Sequence, residues 1–279
     1  MTGKSTNFEK MLKGYLGFLT GTGKSLRTIS SYRGDLLVLQ EFLTKYKIAF
    51  VDVTAKDFDA FHYFLQKKGL KTNTRRRKLI TARSLYRYAL SRKKISFSPA
   101  KFIKPPDRLE RLPWIPNAKQ VNVFLETILP RTQLSKRNRL LVEILAETGI
   151  SISELCSIAW EDVQGRSLKI LGKKKREFKL STTLAAELKA WHKDNKGKYI
   201  FPGFNRHGIS TAKMTPRGVE IQFKYLAKQA ALKQMKPKSL RHFVVAKWLQ
   251  EKVEDEEILS RLGVSKNYSL DAYKKLLER

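Results

Sequence analysis

The sequence predicts a mainly α-helical protein of two domains with one small β-sheet. Apolar residues recur three and four positions apart through the first hundred residues, which places them on one face of each helix. A stretch at 101–116 contains four prolines, which cannot continue a helix and hold the preceding residue extended. Beyond it the helical spacing resumes and is interrupted by two short β-prone runs. These observations define an N-terminal domain at 1–103, a proline-rich linker at 104–116 and a C-terminal domain at 117–279.

The N-terminal domain is predicted to be a bundle of four helices. The first helix has one apolar face, made of Phe8, Met11, Leu12, Tyr15 and Leu19. Further helices are predicted at 25–46 and 72–92, and between them Thr54 is the expected N-cap of a helix, with Asp57 three residues on. Four helices with short connections form a small bundle.

The C-terminal domain is predicted to be mainly helical with one β-hairpin. The hairpin pairs residues 167–171 with 177–180 across the basic turn Gly172-Lys-Lys-Lys-Arg176. The predicted helices are 117–129, 135–147, 182–193, 215–231, 239–252, 255–262 and 269–277.

The charge balance points to a polyanionic partner. Lys and Arg number 57 against 25 Asp and Glu, which gives a formal net charge of +32. Such an imbalance destabilises a compact domain through self-repulsion, and a bound polyanion offsets it. Nucleic acid is the first candidate, because each neutralised phosphate releases condensed counterions. An anionic membrane surface, the ribosome or another RNA, and a general lysine bias of the genome are the alternatives.

The sequence also restricts where the protein works. Cys156 is the only cysteine, so no intramolecular disulfide can form and a reducing compartment is expected. No segment approaches the ~18 uncharged apolar residues of a membrane span, and the N-terminal residues lack an apolar signal segment. We therefore expect a cytoplasmic protein that does not bind a membrane.

The fourth predicted helix carries a basic cluster. Its members are Arg75, Arg76, Arg77, Lys78, Arg83 and Arg87. Consecutive helical residues point about 100° apart, so the cluster covers a broad flank of the helix. We predict that it contacts the phosphates of DNA, with some side chains reaching base edges. A solvated face of the helix is the alternative.

Five segments of the C-terminal domain occur in the order and at the spacing of one enzyme family. They are RNRLLVEILAETGISISEL at 137–155, GKKKREFKL at 172–180, YIFPG at 199–203, PKSLRH at 237–242, and Leu262-Gly-Val264 with Tyr273 nine residues later. The first combines an apolar helix that ends at Thr-Gly with a following Glu-Leu helix, and the second has the form of a lysine-bearing hairpin. Together the segments resemble the tyrosine recombinases of the phage-integrase and Xer type.

The N-terminal domain resembles the core-binding domain of the same family. The similar segments are 26–32 with Asp35-Leu36, 73–88, and 98–100 with Leu112-Pro113. The resemblance implies a SAM-like helical core-binding domain joined to an α-rich catalytic domain with a small sheet, which together close around double-stranded DNA as a C-shaped clamp. It implies DNA integration or recombination, with a second copy or a related recombinase as a further partner. No metal and no nucleotide cofactor are expected, because a phosphotyrosyl link conserves the energy of the broken bond.

The resemblance assigns catalytic roles residue by residue. Tyr273 is at the position of the nucleophile, which attacks a phosphodiester and leaves a 3′-phosphotyrosyl link. Arg241 is at the position of the second catalytic arginine, and Lys238 is at the position of the first histidine. Preorganised cations of this kind stabilise the negative charge that concentrates on the non-bridging oxygens in the transition state.

The resemblance implies that the hairpin turn supplies the lysine that protonates the leaving 5′-oxygen. Lys173 is at that position, and Lys174 or Lys175 takes its place if the register of the turn differs. Lys174 and Lys175 are otherwise expected to contact DNA. His242, the residue after the catalytic-type arginine, is expected to pack or cap a helix without taking part in the chemistry.

Two positions depart from the family pattern. Ser151 is at the position of the first catalytic arginine, and its hydroxyl can neither reach nor neutralise a phosphate oxygen. Val264 stands where the family has His or Trp, so a donor is missing there. Since losing one such donor lowers a rate by ~10²–10³-fold, weak cleavage is expected unless Arg139 or a partner's arginine compensates. The sequence thus leaves two functions open: a recombinase, or an impaired pseudo-recombinase that binds DNA or modulates an active relative without cutting.

Overall fold

The chain divides into two compact units, Met1–Arg111 and Leu112–Arg279, called here the N-terminal unit and the C-terminal unit. The computed structural model describes residues 3–109, 112–172, 174–204 and 210–278. Within these residues the protein is mainly helical with two small antiparallel sheets. The predicted domain bounds at 103 and 117 stay predictions.

Four helices and two 3₁₀ turns build the N-terminal unit. The helices are α1 (Gly3–Gly21), α2 (Leu26–Lys45), α3 (Ala55–Lys67) and α4 (Thr72–Ser91), and the turns are Phe50–Asp52 and Pro99–Phe102. Their apolar faces meet in one core, in which Tyr15, Phe42 and Phe61 are fully buried. Thr54 caps α3 as predicted, and its backbone N–H donates to the Asp57 carboxylate at 2.7 Å.

A buried carboxylate ties α2 to α4. Asp35 is 2% exposed, and its oxygens accept hydrogen bonds from Arg77 at 2.5 Å, Lys78 at 2.9 Å and Thr81 at 3.3 Å. A carboxylate buried in this way needs such partners, because an unpaired buried charge is strongly destabilising. Part of the predicted basic cluster therefore stabilises the helix bundle itself.

The chain that follows the bundle runs back along α4. The Asn73 side chain exchanges two hydrogen bonds of 3.0 Å with the backbone of Leu109, and Arg76 donates to the Pro106 carbonyl at 2.8 Å. Trp114 packs against the core of the C-terminal unit. The predicted linker is therefore held by hydrogen bonds at Pro106 and Leu109 and by the packing of Trp114.

Eight helices, five short strands and one 3₁₀ turn are present in the described part of the C-terminal unit. They are α5 (Ala118–Glu126), α6 (Gln133–Thr148), α7 (Ile152–Leu155), the turn Trp160–Asp162, β1 (Val163–Gln164), β2 (Ser167–Ile170), β3 (Arg176–Lys179), α8 (Thr182–Asp194), β4 (Pro202–Phe204), β5 (Ser210–Lys213), α9 (Pro216–Gln229), α10 (Pro237–Gln250), α11 (Asp255–Leu262) and α12 (Asp271–Leu277). α6 lies in the core, where Leu141, Val142 and Ile144 are at most 1% exposed. It ends at Gly149, whose φ of 63° is a left-handed helix cap.

The two sheets are small and antiparallel. β2 pairs with β3 in a hairpin that sets Leu168 opposite Phe178 and Ile170 opposite Arg176, and β1 pairs with the other edge of β2. The hairpin is present as predicted. The pair β4–β5 was not predicted, because a strand that begins at Pro202 and continues with glycine lacks the residue types that strands favour.

The last three helices form a second core. Its buried members are Val244, Val245, Trp248, Ile258, Leu262, Leu270 and Tyr273. The ring of Tyr273 thus fixes α12 against α10 and α11. Among the described helices, none is long and apolar enough to cross a membrane.

Candidate active site

Arg241 on α10 is fixed by two backbone carbonyls. Its Nη1 donates to the Gly149 carbonyl at 2.9 Å, and its Nη2 donates to the Leu262 carbonyl at 2.9 Å. Both carbonyls lie at the C-terminal ends of helices, where unsatisfied oxygens attract a cation. Burial lowers the pKa of Arg241, and the Glu154 carboxylate acts in the opposite direction. The guanidinium is held in place, and its remaining N–H groups are available to an anion.

Arg241 lines a cleft with a volume of about 1090 Å³, whose wall combines apolar side chains with several cations and Glu220. Ser151, just before α7, and Lys238, in the first turn of α10, line the same cleft. Further lysines in its wall are Lys224, Lys228, Lys233 and Lys236. The structure therefore brings three of the predicted site positions together on a concave surface whose cations suit a backbone phosphate.

The hydroxyl of Tyr273 belongs to a hydrogen-bonded group of three side chains. It lies 2.6 Å from Nδ1 of His242 and 3.0 Å from the hydroxyl of Tyr268. Tyr273 is 3% exposed and is not one of the described residues that line the cleft. Tyr273 is close enough to Arg241 for their charges to interact, but the phenol must be uncovered before it can attack a phosphate.

The two partners of this contact are both uncharged at neutral pH. Burial raises the pKa of Tyr273 far above its usual value, and the hydrogen bond with Tyr268 raises it further. Burial, together with the charges of Lys238 and Arg241, lowers the pKa of His242 to about 4. The phenol keeps its proton and the imidazole stays neutral, so a nucleophilic phenolate forms only if a base takes the proton.

Ser151 serves as the N-cap of α7. Its hydroxyl accepts a hydrogen bond from the Glu154 N–H at 3.3 Å, while the Glu154 carboxylate accepts from the Ser151 N–H at 2.9 Å and from its hydroxyl at 2.8 Å. These reciprocal bonds satisfy N–H groups of the first turn. The position therefore contributes a cap and no charge. Arg139 pairs with Glu143 at 2.9 Å and does not replace the missing guanidinium in this structure.

A different arginine lies beside Glu154. Arg176, the first residue of β3, donates from Nη1 to Glu154 Oε1 at 2.8 Å and from Nε to the Arg261 carbonyl at 2.6 Å. Its side chain is 7% exposed, and its Nη2 is buried without a hydrogen-bond partner among the described residues. A Cβ at Gly263 would lie 2.6 Å from Arg176 Nη1, so any other residue there would require the guanidinium to shift, and the φ of 64° independently favours glycine. The buried guanidinium of Arg176 therefore contacts Glu154, the hydrogen-bond partner of Ser151, and Ser151 is the position that lacks the family's arginine.

The hairpin turn lies beside the segment that leads to α12. Lys173 is outside the described residues, Lys174 donates a hydrogen bond to the Val264 carbonyl, and Lys175 is exposed. The Val264 side chain packs against the second core and supplies no donor. The roles assigned to the three lysines stay predictions.

Some side chains of the basic cluster on α4 are exposed, and others form hydrogen bonds or ion pairs within the N-terminal unit. Lys78 is buried and its ammonium pairs with Asp35, so the prediction that it contacts DNA is corrected: the helix turns this residue toward the core. Arg77 and Arg87 are exposed, although Arg77 also pairs with Asp35. The hydrogen bonds of the other members run from Arg75 to Thr72, from Arg76 to Pro106 and from Arg83 to Ile103. Contact of the five arginines with DNA stays a prediction.

Three residues of the site were not recognised from the sequence. Arg176 was seen only as the end of a basic turn, although a basic residue followed by a β-prone run was a usable signal. His242 was expected to pack or cap, and the structure instead places it on the Tyr273 hydroxyl. Tyr268 carried no signal, because nothing local relates it to a tyrosine five residues later.

Comparison with known sequences identifies the family. The phage integrase family matches residues 117–278, and the N-terminal SAM-like domain of phage integrases matches residues 12–93. The chain is 30% identical over 260 residues to the tyrosine recombinase XerC of Xanthomonas axonopodis pv. citri (strain 306), which covers 86% of this chain and 83% of that one. It is 28% identical over 250 residues to XerC of Staphylococcus carnosus (strain TM300), covering 86% and 83%. The chain belongs to the phage integrase family of tyrosine recombinases, as the resemblance predicted.

Solved structures share the fold. A lambda integrase tetramer bound to a Holliday junction has a TM-score of 0.74 at 16% identity, over 95% of this chain and 76% of that chain. A lambda integrase dimer bound to a COC′ core site has a TM-score of 0.73 at 14% identity, with the same coverage. The Tn1549 transposon integrase in complex with circular intermediate DNA has a TM-score of 0.70 at 17% identity, over 96% and 99%. The predicted fold class, a helical SAM-like domain followed by an α-rich catalytic domain with a small sheet, is confirmed.

Proposed function

We propose that this chain is a site-specific DNA recombinase that cuts and rejoins duplex DNA through a 3′-phosphotyrosyl intermediate. The observation that carries the proposal is that Arg241 and Lys238 line one cleft, while the Tyr273 hydroxyl is hydrogen-bonded to His242, the residue after Arg241. The names of the relatives, tyrosine recombinases, support the same function.

In this proposal the chain's own side chains carry every step. Arg241 and Lys238 hold the scissile phosphate and stabilise the charge that develops on its non-bridging oxygens. The oxygen of Tyr273 bonds to phosphorus, the bond to the 5′-oxygen breaks, and a lysine of the β2–β3 turn protonates the leaving oxygen. A 5′-hydroxyl later attacks the phosphotyrosyl bond and releases the tyrosine. The linkage keeps the energy of the broken bond, so the cycle needs no nucleotide or metal.

The altered position at Ser151 lowers the expected rate and leaves the reaction type unchanged. Cleavage at a site with one catalytic arginine instead of two is expected to be slower by about 10²–10³-fold. The alternative, a protein that binds DNA without cutting it, is not favoured, because the relatives are tyrosine recombinases and this chain keeps Tyr273, Arg241 and Lys238. We therefore expect slow cleavage.

Double-stranded DNA is the proposed partner. The net charge of +32 supports a polyanion, and lambda integrase, which shares the fold, is described as bound to DNA as a dimer and as a tetramer. We infer that this chain also associates with itself or with a related recombinase on DNA. A cytoplasmic location is part of the proposal, since the single cysteine, Cys156, is a free thiol.

Covalent trapping tests the proposal. Duplexes that the protein binds are first selected from a random library, and each is then nicked so that the cut end diffuses away and religation is prevented. We expect slow accumulation of a protein–DNA complex that survives denaturing electrophoresis and is absent for Tyr273→Phe. Tyr63→Phe, a change at an exposed tyrosine of the N-terminal unit, is the control and should give the wild-type yield. No covalent complex on DNA that the wild type binds would support the non-cutting alternative.

A further inference from the structure

The Tyr273 hydroxyl has a partner that can accept its proton. Nδ1 of His242 lies 2.6 Å away, a short hydrogen-bond distance. Lys238, which occupies the position of the family's first histidine, lies one helical turn earlier on the same side of α10. An ammonium offers only donors, whereas a neutral imidazole has one acceptor nitrogen. Of these two side chains, only His242 can therefore accept a proton from the phenol.

We propose that His242 is the base that takes the phenolic proton when Tyr273 attacks the phosphodiester. This inference rests on the proposed recombinase function. The O–H bond of Tyr273 breaks and its proton passes to His242 Nδ1, while the bond from the phenolic oxygen to phosphorus forms. The bond from phosphorus to the 5′-oxygen breaks, and that oxygen receives a proton from the turn lysine. In the return step the 5′-hydroxyl gives its proton to the lysine, and His242 gives its proton back to the phenol.

The hydrogen bonds around the phenol fit this direction of transfer. Tyr273 has one proton to donate and lone pairs to accept with. If it donates to His242 Nδ1, its oxygen can accept from the Tyr268 hydroxyl at 3.0 Å, so the phenol can make both hydrogen bonds at once. The arrangement requires the Nε2–H tautomer of His242.

The charges that face His242 make the base respond to substrate. Lys238 and Arg241 face it from its own helix, Tyr273 faces it from α12, and Tyr268 faces it from the segment before α12. Burial and, in addition, the two cations lower the pKa of the ring in the free protein. A phosphate bound between them offsets their charge, so the basicity of His242 rises when DNA occupies the cleft. The nucleophile is therefore activated mainly in the DNA complex.

The first test reads the tautomer and needs no cleavage. In protein with ¹⁵N-labelled histidine, the nitrogen shifts report which ring nitrogen carries the proton. The chain has 4 histidines, and the His242 signals are assigned as those that disappear in His242→Asn. We expect the neutral Nε2–H form at neutral pH. A His242 that carries its proton on Nδ1 would donate to Tyr273 and could not serve as its base, which would overturn the proposal even if the protein proved to be an active recombinase.

The second test measures single-turnover formation of the covalent complex against pH on the nicked duplexes. A general base contributes about 10²–10⁴-fold, so His242→Asn, which keeps a hydrogen-bonding group but no base, should be slower by at least about 10²-fold near neutral pH. The deficit should shrink at high pH as hydroxide takes over. His192→Asn is the matched control, since His192 is exposed and stacks on Trp160 away from the site.

The outcomes distinguish His242 acting as a base from His242 acting as an acid or only positioning α12. If His242 only positions α12, His242→Asn should be slow by the same factor at every pH, and the base assignment is wrong. A substrate with sulfur in place of the bridging 5′-oxygen needs no acid, because a thiolate leaves without being protonated. This substrate should restore cleavage by a variant of the turn lysine but not by His242→Asn. If it restores cleavage by His242→Asn, His242 acts as an acid and not as the base. Covalent complex from Tyr273→Phe would remove the proposed function itself, whatever the tautomer shows.

Discussion

Replacing Ser151 by arginine should accelerate cleavage and destabilise the C-terminal unit. The serine is an N-cap with three reciprocal hydrogen bonds to Glu154. Removing a cap of this type costs about 1 kcal/mol, which lowers the melting temperature of a domain of this size by about 2–4 °C. The added guanidinium faces the cleft that Arg241 and Lys238 line, where a second arginine should raise the cleavage rate by about 10²–10³-fold.

Ser151→Ala is the matched control, because it removes the cap and adds no charge. Both variants are compared with wild type by thermal unfolding and by single-turnover trapping on a nicked duplex. We expect similar decreases in melting temperature and a gain in rate for Ser151→Arg alone. DNA binding by Ser151→Arg should also become steeper in salt, with a slope of log K against log salt more negative by about 0.9 for one additional neutralised phosphate.

Equal rates for Ser151→Arg and Ser151→Ala would refute the reasoning. Such a result would mean that the phosphate is already neutralised without a second fork in the cleft. Arg176 is then the first residue to test, since its buried Nη2 has no hydrogen-bond partner among the described residues. A melting temperature of Ser151→Ala equal to that of wild type would separately show that the cap contributes little.

Three further predictions follow from the fold. Replacing the first three arginines of the basic cluster by alanine should weaken DNA binding and flatten its salt dependence, by about 0.9 in the slope for each phosphate that is no longer neutralised; an unchanged slope would show a solvated face. Gly263→Ala should destabilise by more than Gly165→Ala in urea unfolding, because both glycines have positive φ but only Gly263 also meets Arg176. Left-handed strain alone costs about 1–2 kcal/mol, so equal destabilisation would mean that Arg176 moves aside. Burial and the neighbouring carboxyl of Glu187 raise the pKa of Glu143 to about 8. Between about pH 4.3 and about 8 this carboxyl is deprotonated in the unfolded chain but protonated in the folded protein, so the free energy of unfolding should fall as the pH rises through that range. Glu143→Gln should reduce that fall. If the dependence of the unfolding free energy on pH is the same in the variant, Glu143 is not its source.

Features fixed by nearby residues were predicted well. The Thr54 cap depends on Asp57 three residues on, and the hairpin depends on two short runs around a basic turn. Apolar spacing predicted the helices because one buried face is a local property of the sequence. The exceptions are the short strands β4 and β5, whose pairing overrides the weak preference of a Pro-Gly start.

The contacts that define the site could not be predicted in this way. Arg176 and Glu154 are 22 positions apart, and His242 and Tyr273 are 31 positions apart. Both pairs form because separate helices and strands pack together, and no spacing rule relates their members. The burial of Lys78 had the same origin: the cluster was inferred from composition, whereas the carboxylate that attracts this lysine lies 43 positions away.

The altered residues at the cleft change geometry more than charge. Ser151 stands where the family has an arginine, and Lys238 stands where it has a histidine. The family's pair thus contains one permanent cation, the arginine, and the pair in this chain also contains one, the lysine. An ammonium is a compact point charge that attracts a phosphate about equally in the ground state and the transition state, whereas a guanidinium fork matches two oxygens in a fixed plane. Uniform binding strengthens the complex without accelerating the chemical step. The substitution should therefore leave affinity for DNA high and lower the rate of covalent-complex formation, which is why Ser151→Arg is expected to act on that rate first.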